Sequence, residues 1–300
     1  MSKRIRIGTR GSKLALWQAN FVKETLEESG FEAELNIIKT KGDLVQTLSF
    51  DKLEGKGFFT SELEEALSTG TVDLAVHSMK DLPTDSHEAL MIAGVSQREN
   101  PSDWLIIRAQ AVDQSKPLNL KTGAVIGTSS NRRKAQIKYL RDDIATRDIR
   151  GNVPTRLEKV ASGEVDAAIL AAAGLIRLDL DLSTFELVKL HPREFVPAPA
   201  QGVLAFQIRR DDQSMLEIVR DNLHHPDTLK RTNVERKILK LLQGGCHLPL
   251  GAYCELDQLG YYHVYTAYAI DLHQPLRHYN LSYSTTDGLA EAIVNHYIKS

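Results

Sequence analysis

Three hundred residues exceed what one hydrophobic core usually fills, so about two domains are expected, with three within reach. With 42% hydrophobic residues, 25% charged residues and a net charge of −2, the chain reads as globular and excludes a uniformly basic nucleic-acid coat, though not a local basic cleft. No apolar run approaches the ~18 residues of a membrane span. No apolar core follows the charged start MSKRIRIGTR, and the two cysteines argue for a reducing compartment over a disulfide scaffold, so a complete cytoplasmic protein without a signal peptide is expected.

Arg4 to Thr9 alternates charged and apolar residues and predicts a strand. Ser12 to Glu28 places Leu16, Ala19, Val22 and Leu26 at helical spacing, with Gly30 as the stop. Leu35 to Ile38 predicts a second short strand. Ser61 with Glu64 predicts a capping box on a helix that Gly70 ends, and Val72 to His77 a buried strand. The alternation recurs as a strand at Ala124 to Ile126, a helix at Arg132 to Leu140 and a strand at Val165 to Ala171, which implies parallel or mixed sheet covered on both faces. Residues 109–122 are polar and read as an excursion inside a second α/β unit. Residues 191–202 hold three of the ten prolines and read as an extended linker. Thr228 to Leu242 predicts an amphipathic helix with Leu229, Val234, Ile238 and Leu241 on one face. Eight of the nine tyrosines follow residue 250, where Tyr261 to Ile270 and Arg277 to Ser284 alternate like antiparallel strands and Leu289 to Ile298 closes as a helix.

Six arginines lie between Arg132 and Arg156. Arg141 and Arg147 read as solvated charges. GTSSNRR instead follows an apolar strand and opens a helix, so hydroxyls, backbone amides and the guanidinium groups of Arg132 and Arg133 gather where anions bind. RGNVPTR repeats that logic with Pro154 near a helix start. Arginine suits bidentate pairing with carboxylate or phosphate, so a polyanion is the expected ligand class. In VDLAVHSMKDLP, Lys80 and Asp81 follow the carboxyl end of a strand, where open α/β sheets bind ligands. Asp81 either caps a turn before Pro83 or stabilises developing positive charge among the cations, and His77 reads as a satisfied core residue. Cys246 follows Gly244 and Gly245 in a tight loop and is either a small buried hydrophobe or a covalent attachment point. Cys254 fits the buried reading, and two cysteines without a suitable histidine pair leave no zinc site and no other metal site.

The segments IGTRGSKLALWQA, GKGFFTSELEEAL, DLAVHSMKDLPT, GTSSNRRKAQI, IRGNVPTRLEK, DAAILAAAGLIRL, PAQG and LQGGCHLPLGAY, in this order, resemble the hydroxymethylbilane synthase (porphobilinogen deaminase) family. The resemblance implies two α/β domains like those of periplasmic binding proteins around a cleft, plus a small C-terminal α+β domain. Its boundaries fall at 1–98 with 197–218, at 99–196 and at 219–300. It implies stepwise condensation of four porphobilinogen molecules on a covalently attached dipyrromethane, with loss of ammonia and final release by water. It assigns Cys246 to cofactor attachment and Asp81 to catalysis. Arg10, Arg132, Arg133, Arg150, Arg156 and Arg177 match carboxylate-binding arginines, and Ser12, Lys80, Thr128, Ser129 and Ser130 further cofactor or substrate contacts. Lys56 and Phe59 match an active-site loop. A cytoplasmic monomer that binds porphobilinogen, and neither nucleic acid nor membrane, is the implied form. Lys13 stands where many relatives have proline, Lys41 where an arginine often precedes the glycine, and Gly11 and Pro154 also sit at variable positions; none removes a catalytic charge. Two other readings fit the arginines alone: a non-catalytic anion binder on the same fold, which leaves the GGC loop unexplained, and a nucleic-acid binder, which would bind with steep salt dependence.

Overall fold

The structure is a computed structural model that describes residues 4–39, 60–85, 87–245 and 247–299. Lys41, Lys56, Phe59 and Cys246 lie outside the described residues. The chain forms two compact units, 1–99 with 202–230 and 100–201 with 231–300.

In chain order the first elements are β1 (Ile5–Thr9), α1 (Lys13–Glu28), β2 (Ala33–Ile37), α2 (Ser61–Ser68), β3 (Leu74–Ser78) and β4 (Leu90–Val95). Next come β5 (Asp103–Arg108), β6 (Val125–Gly127), α3 (Asn131–Leu140), β7 (Ala145–Arg147), α4 (Val153–Ala161), β8 (Ala167–Ala171), α5 (Ala172–Leu178) and β9 (Phe185–Lys189). The last are β10 (Leu204–Arg209), α6 (Gln213–Asn222), α7 (Pro226–Leu241), β11 (Leu250–Leu256), β12 (Tyr262–Tyr268), β13 (Arg277–Tyr283) and α8 (Leu289–Lys299).

The first unit is built on a sheet of order β2-β1-β3-β10-β4. β1 is parallel to β2 and β3, and β10 runs antiparallel to β3 and β4. Successive side chains of a strand face opposite ways, so each strand feeds two cores. Ile5, Ile7 and Val76 meet Ala19, Val22 and Leu26 of α1 on one face. Ala75 meets Leu63 and Leu67 of α2 on the other. The second unit contains a sheet of order β7-β6-β8-β5-β9, with β6 parallel to β7 and β8, and β5 antiparallel to β8 and β9. Leu105, Ile107 and Ile169 pack with Ile137 on one side; Ile106 and Leu170 pack with Leu157 and Leu175 on the other. The two sheets therefore share one topology, a parallel trio followed by an antiparallel strand and an edge strand. The second unit also contains the antiparallel sheet β11-β12-β13. Ala252, Cys254 and Val264 on one face of that sheet form a core with Val234, Ile238 and Ile293.

Several sequence expectations need correction. Thr60, not Ser61, is the N-cap of α2, and the Ser61 hydroxyl donates to Glu62, so no capping box forms. The second strand begins at Ala33 and the third at Leu74. The 109–122 stretch is more than polar: Ala111 and Leu120 are buried in the core of the second unit, and Val112 bridges Leu120. Arg141 is buried, since Asp143 and the carbonyls of Pro117 and Leu120 satisfy its guanidinium. The buried face of α7 includes Thr228, Thr232 and Glu235, whereas Leu241 is exposed. The proline-rich stretch is pinned: the Gln136 amide accepts from the Val196 N–H at 2.6 Å and donates to its carbonyl at 3.0 Å.

Candidate active site

Open α/β sheets bind ligands beyond the carboxyl ends of their parallel strands, and the expected site residues follow such ends in both units. In the first unit, β1 ends at Thr9 and the turn that follows presents Arg10 and Ser12. Ser12 caps α1, its hydroxyl accepting from the Ala15 N–H at 3.3 Å. No acidic residue occupies the first turn of α1, so its positive end is left for an anion. Beside it, β3 ends at Ser78 and a single 3-10 turn, Met79–Asp81, carries Lys80 and Asp81. Gln18 of α1 donates to the Ser78 hydroxyl at 2.9 Å, tying the helix to the strand end.

A pocket of about 120 Å³ opens between these elements, with Arg10, Ser12, Thr60, His77 and Asp81 among its walls. It pairs one cation and one carboxylate with hydroxyls, a combination suited to a ligand that carries both a carboxylate and an amine or N–H group. Lys80 is on the same turn but does not line this pocket. Asp81 is exposed at its edge.

His77 is better placed than a bland core residue. Gln207 donates to Glu64 Oε1 at 3.2 Å, which turns its own Oε1 toward His77 Nε2 at 3.1 Å. With the amide oriented by that carboxylate, Nε2 is the protonated ring nitrogen. Burial, aided by the charge on Arg10 and opposed by the Gln207 hydrogen bond, pushes the imidazole pKa down to about 4. His77 is a neutral wall of the pocket.

In the second unit, β6 ends at Gly127 and leads into Thr128, Ser129 and Ser130 before α3. A Cβ on Gly127 would meet Ile149 at 2.7 Å, so the strand needs glycine where it passes that side chain. Thr128 is buried, and its hydroxyl accepts from the Ser130 N–H at 3.3 Å. Ser129 donates to the Ile149 carbonyl at 2.8 Å. Ser130 is the N-cap of α3 with no side-chain cap bond, and no acid sits in the first turn. Arg150 follows β7, and Arg156 in α4 donates from Nε to the Gly151 carbonyl at 2.9 Å. Asn152 caps α4 by accepting from the Thr155 N–H at 3.0 Å. Arg177 lies buried in α5, which follows β8 directly.

Arg132 and Arg133 do not stand open at the helix start. Both turn onto the buried carboxylate of Asp103, at 2.7 and 2.6 Å. Burial alone would raise the Asp103 pKa, but the two guanidinium groups overcome it and hold the carboxyl well below the usual range. Gln201 of the PAQG segment adds a hydrogen bond to the same carboxylate at 3.0 Å. Two guanidinium groups on one carboxylate leave a surplus positive charge, and the buried Nε of Arg133 has no partner among the described residues. An unneutralised interior cation is costly, which makes the region a place for an anion.

Asn131 was not singled out by its sequence, yet its side-chain amide donates to the His247 carbonyl at 3.0 Å. That bond ties the start of α3 to the residue next after Cys246. Left-handed backbone at the end of α7 falls on Gln243 rather than on either glycine of the loop, and Gly244 is instead required by the close approach of Leu248. Cys254 is buried as expected; its N–H donates at 2.7 Å to Glu235, whose other oxygen accepts from the Ala200 N–H at 2.7 Å. Asp103 and Glu235 gave no sequence signal beyond being polar residues near apolar runs, and Gln201 entered only as part of the PAQG segment; their contacts show only once the strands are placed. No group of three or more metal-ligating side chains occurs among the described residues.

Residues 5–217 match the family described as porphobilinogen deaminase, dipyromethane cofactor binding domain. The porphobilinogen deaminase of Maridesulfovibrio salexigens is 44% identical over 257 residues, covering 85% of this chain and 81% of that protein. The probable porphobilinogen deaminase of Methanocella arvoryzae is 45% identical over 261 residues, covering 85% and 83%. Among solved structures, a periplasmic binding protein of Salmonella typhimurium with high arginine specificity is 12% identical with a TM-score of 0.43, covering 76% of this chain and 93% of that one. From the span of the family match and the identity of these relatives, the chain belongs to the porphobilinogen deaminase family, the transferases that form hydroxymethylbilane.

Proposed function

We propose that the chain's residues divide the synthesis of hydroxymethylbilane between the two strand-end sites. The enzyme condenses four porphobilinogen molecules on a dipyrromethane primer, releases one ammonia at each addition and frees the product with water. When bound, the dipyrromethane supplies the pyrrole carbon to which the first substrate is joined. Cys246 is the attachment point, and the observation that carries this reading is the Asn131 bond to His247, which joins the cysteine segment to the hydroxyl-rich start of α3. The donor set there fits the carboxylate arms of such a group: Thr128, Ser129, Ser130 and the open helix end, with the surplus charge of Arg132 and Arg133 behind them. Arg150, Arg156 and Arg177 follow neighbouring strand ends and extend the cationic lining as the polyanion grows.

In the first unit, Arg10 and Ser12 hold a substrate carboxylate at the start of α1, and Asp81 faces the nitrogen side. The carboxylate of Asp81 favours departure of the aminomethyl nitrogen as ammonia by stabilising the positive charge left on the substrate, then assists loss of the ring proton after the new carbon–carbon bond forms. Lys80 is a further contact from the same turn. Lys56 and Phe59, which match the active-site loop of the family, lie outside the described residues. The proposed domains are 1–98 with 197–218, 99–196 and 219–300; the separate core of the antiparallel sheet within the second unit supports the third of them. Among the described residues no helix is long and apolar enough to cross a membrane. The enzyme acts as a cytoplasmic monomer; its scarcity of cysteine supports the reducing compartment, and the monomer rests on the family resemblance.

The test is the intact mass of the denatured protein against Cys246→Ser. An added mass of two linked pyrrole units, present in the wild type and absent from the variant, is expected. Bare polypeptide mass that stays bare after incubation with porphobilinogen would favour the non-catalytic anion binder.

A further inference from the structure

Thr60 occupies the N-cap of α2, where a threonine hydroxyl ordinarily accepts a backbone N–H of the first turn. Here it does not: the helix has no side-chain cap bond, and the backbone carbonyl of Thr60 alone receives the Glu64 N–H, at 2.8 Å. Thr60 is only 3% exposed, and its Oγ1 is buried without a hydrogen-bond partner among the described residues. A buried hydroxyl left unpaired is unfavourable, and valine would fill the same shape without that penalty. Folding therefore gives no reason for the hydroxyl. Its position does, since Thr60 lines the pocket that also holds Arg10, Ser12 and Asp81.

We infer that Thr60 is a substrate-positioning residue, whose hydroxyl donates a hydrogen bond to a carboxylate of the incoming porphobilinogen. The inference rests on the reading of this pocket as the substrate site. A turn about χ1 redirects the hydroxyl, and on this inference it stands on the pocket wall that Thr60 forms. A hydroxyl meeting a carboxylate can only donate, and the carboxylate end of the substrate is the end held by Arg10. Porphobilinogen has two carboxylate arms; Arg10 and Ser12 serve one, and Thr60 serves the other.

The experiment compares Thr60→Val, Thr60→Ser and Arg10→Leu in holoenzyme whose dipyrromethane loading has been checked by intact mass. Thr60→Val is expected to raise the KM for porphobilinogen about tenfold, with kcat within about twofold and an unchanged or higher melting temperature. Thr60→Ser should restore the wild-type KM. A lowered melting temperature of Thr60→Val with unchanged KM would make the hydroxyl structural and overturn the inference. Unchanged KM in Thr60→Val with a raised KM in Arg10→Leu would overturn it while keeping the pocket. Unchanged KM in both variants would remove the pocket reading itself, and the inference with it.

Discussion

At the scale of single residues, two titratable groups in the first unit have opposite tasks. Asp81 is exposed at the pocket edge and is the residue proposed to act in the reaction. Asp81→Ala should lower kcat/KM by at least about a hundredfold while the cofactor stays attached, and Asp81→Glu, one methylene longer, should turn over slowly. Near-normal turnover in Asp81→Ala would remove it from the mechanism. His77 is buried and neutral, its pKa pushed from 6.5 to about 4. Between those two pH values the unfolded chain binds a proton that the folded chain refuses, so stability rises with pH across the window and falls as acid is added. The loss amounts to about 3 kcal/mol and is complete near the lower value. Urea midpoints measured from pH 7 to 4 should therefore fall more steeply for the wild type than for His77→Gln. Parallel curves would show that the burial of His77 does not set this slope.

At the scale of elements, α3 shows how one helix serves two purposes. Its half-buried start offers Ser130 and the Asn131 amide, while Arg132 and Arg133 reach inward to the first residue of β5. Asp103 is fully buried, so removing its charge leaves two guanidinium groups facing each other in the interior. Asp103→Asn should cost about 3–5 kcal/mol at neutral pH, read from urea denaturation. The Asp103 pKa is depressed in the folded state, so its contribution is present above the ordinary carboxylate range and is lost as pH falls below it. The gap between wild type and variant should narrow at pH 3; a gap of equal size at both pH values would mean that the charge is not what stabilises the pair. The expected helix and strand segments in this region were legible because Ile126, Ile137 and Ile169 fall at the right periods. The inward turn of the two arginines was not, because adjacent cations at a helix start look the same on sequence whether they face solvent or a buried aspartate thirty positions away.

At the scale of the whole molecule, one sheet plan occurs twice, and each copy puts the residues proposed to bind anions beyond the carboxyl ends of parallel strands. The covalent group proposed at Cys246 would also neutralise the surplus charge behind α3. Binding to the folded state alone stabilises it, so apoprotein from Cys246→Ser should melt about 5 °C below the loaded wild type. Equal melting temperatures would separate the cofactor from that charge cluster.

The sequence by itself determined the alternation of strands and helices, which depends on local periodicity, and, through the resemblance that its ordered motifs carry, the family. Residue types and spacing alone narrowed the ligand to a multiply charged anion. The sequence also located the closing antiparallel segment: Arg277 to Ser282 alternates half-buried and exposed residues, although Thr266, Ala267 and Tyr268 of β12 are all buried. Only the tertiary structure decided what depends on distant partners. DWLIIR and LAFQIR became the antiparallel strands β5 and β10, because a strand buried on both faces shows no alternation and its direction is set by neighbours far away in sequence. Likewise Asp103 was chosen as the anchor of two arginines, Gln207 as the group that fixes His77, and Asn131 as the tether of the cysteine segment. Each is a single polar contact across the fold, and one polar side chain carries no periodicity from which such a contact can be read.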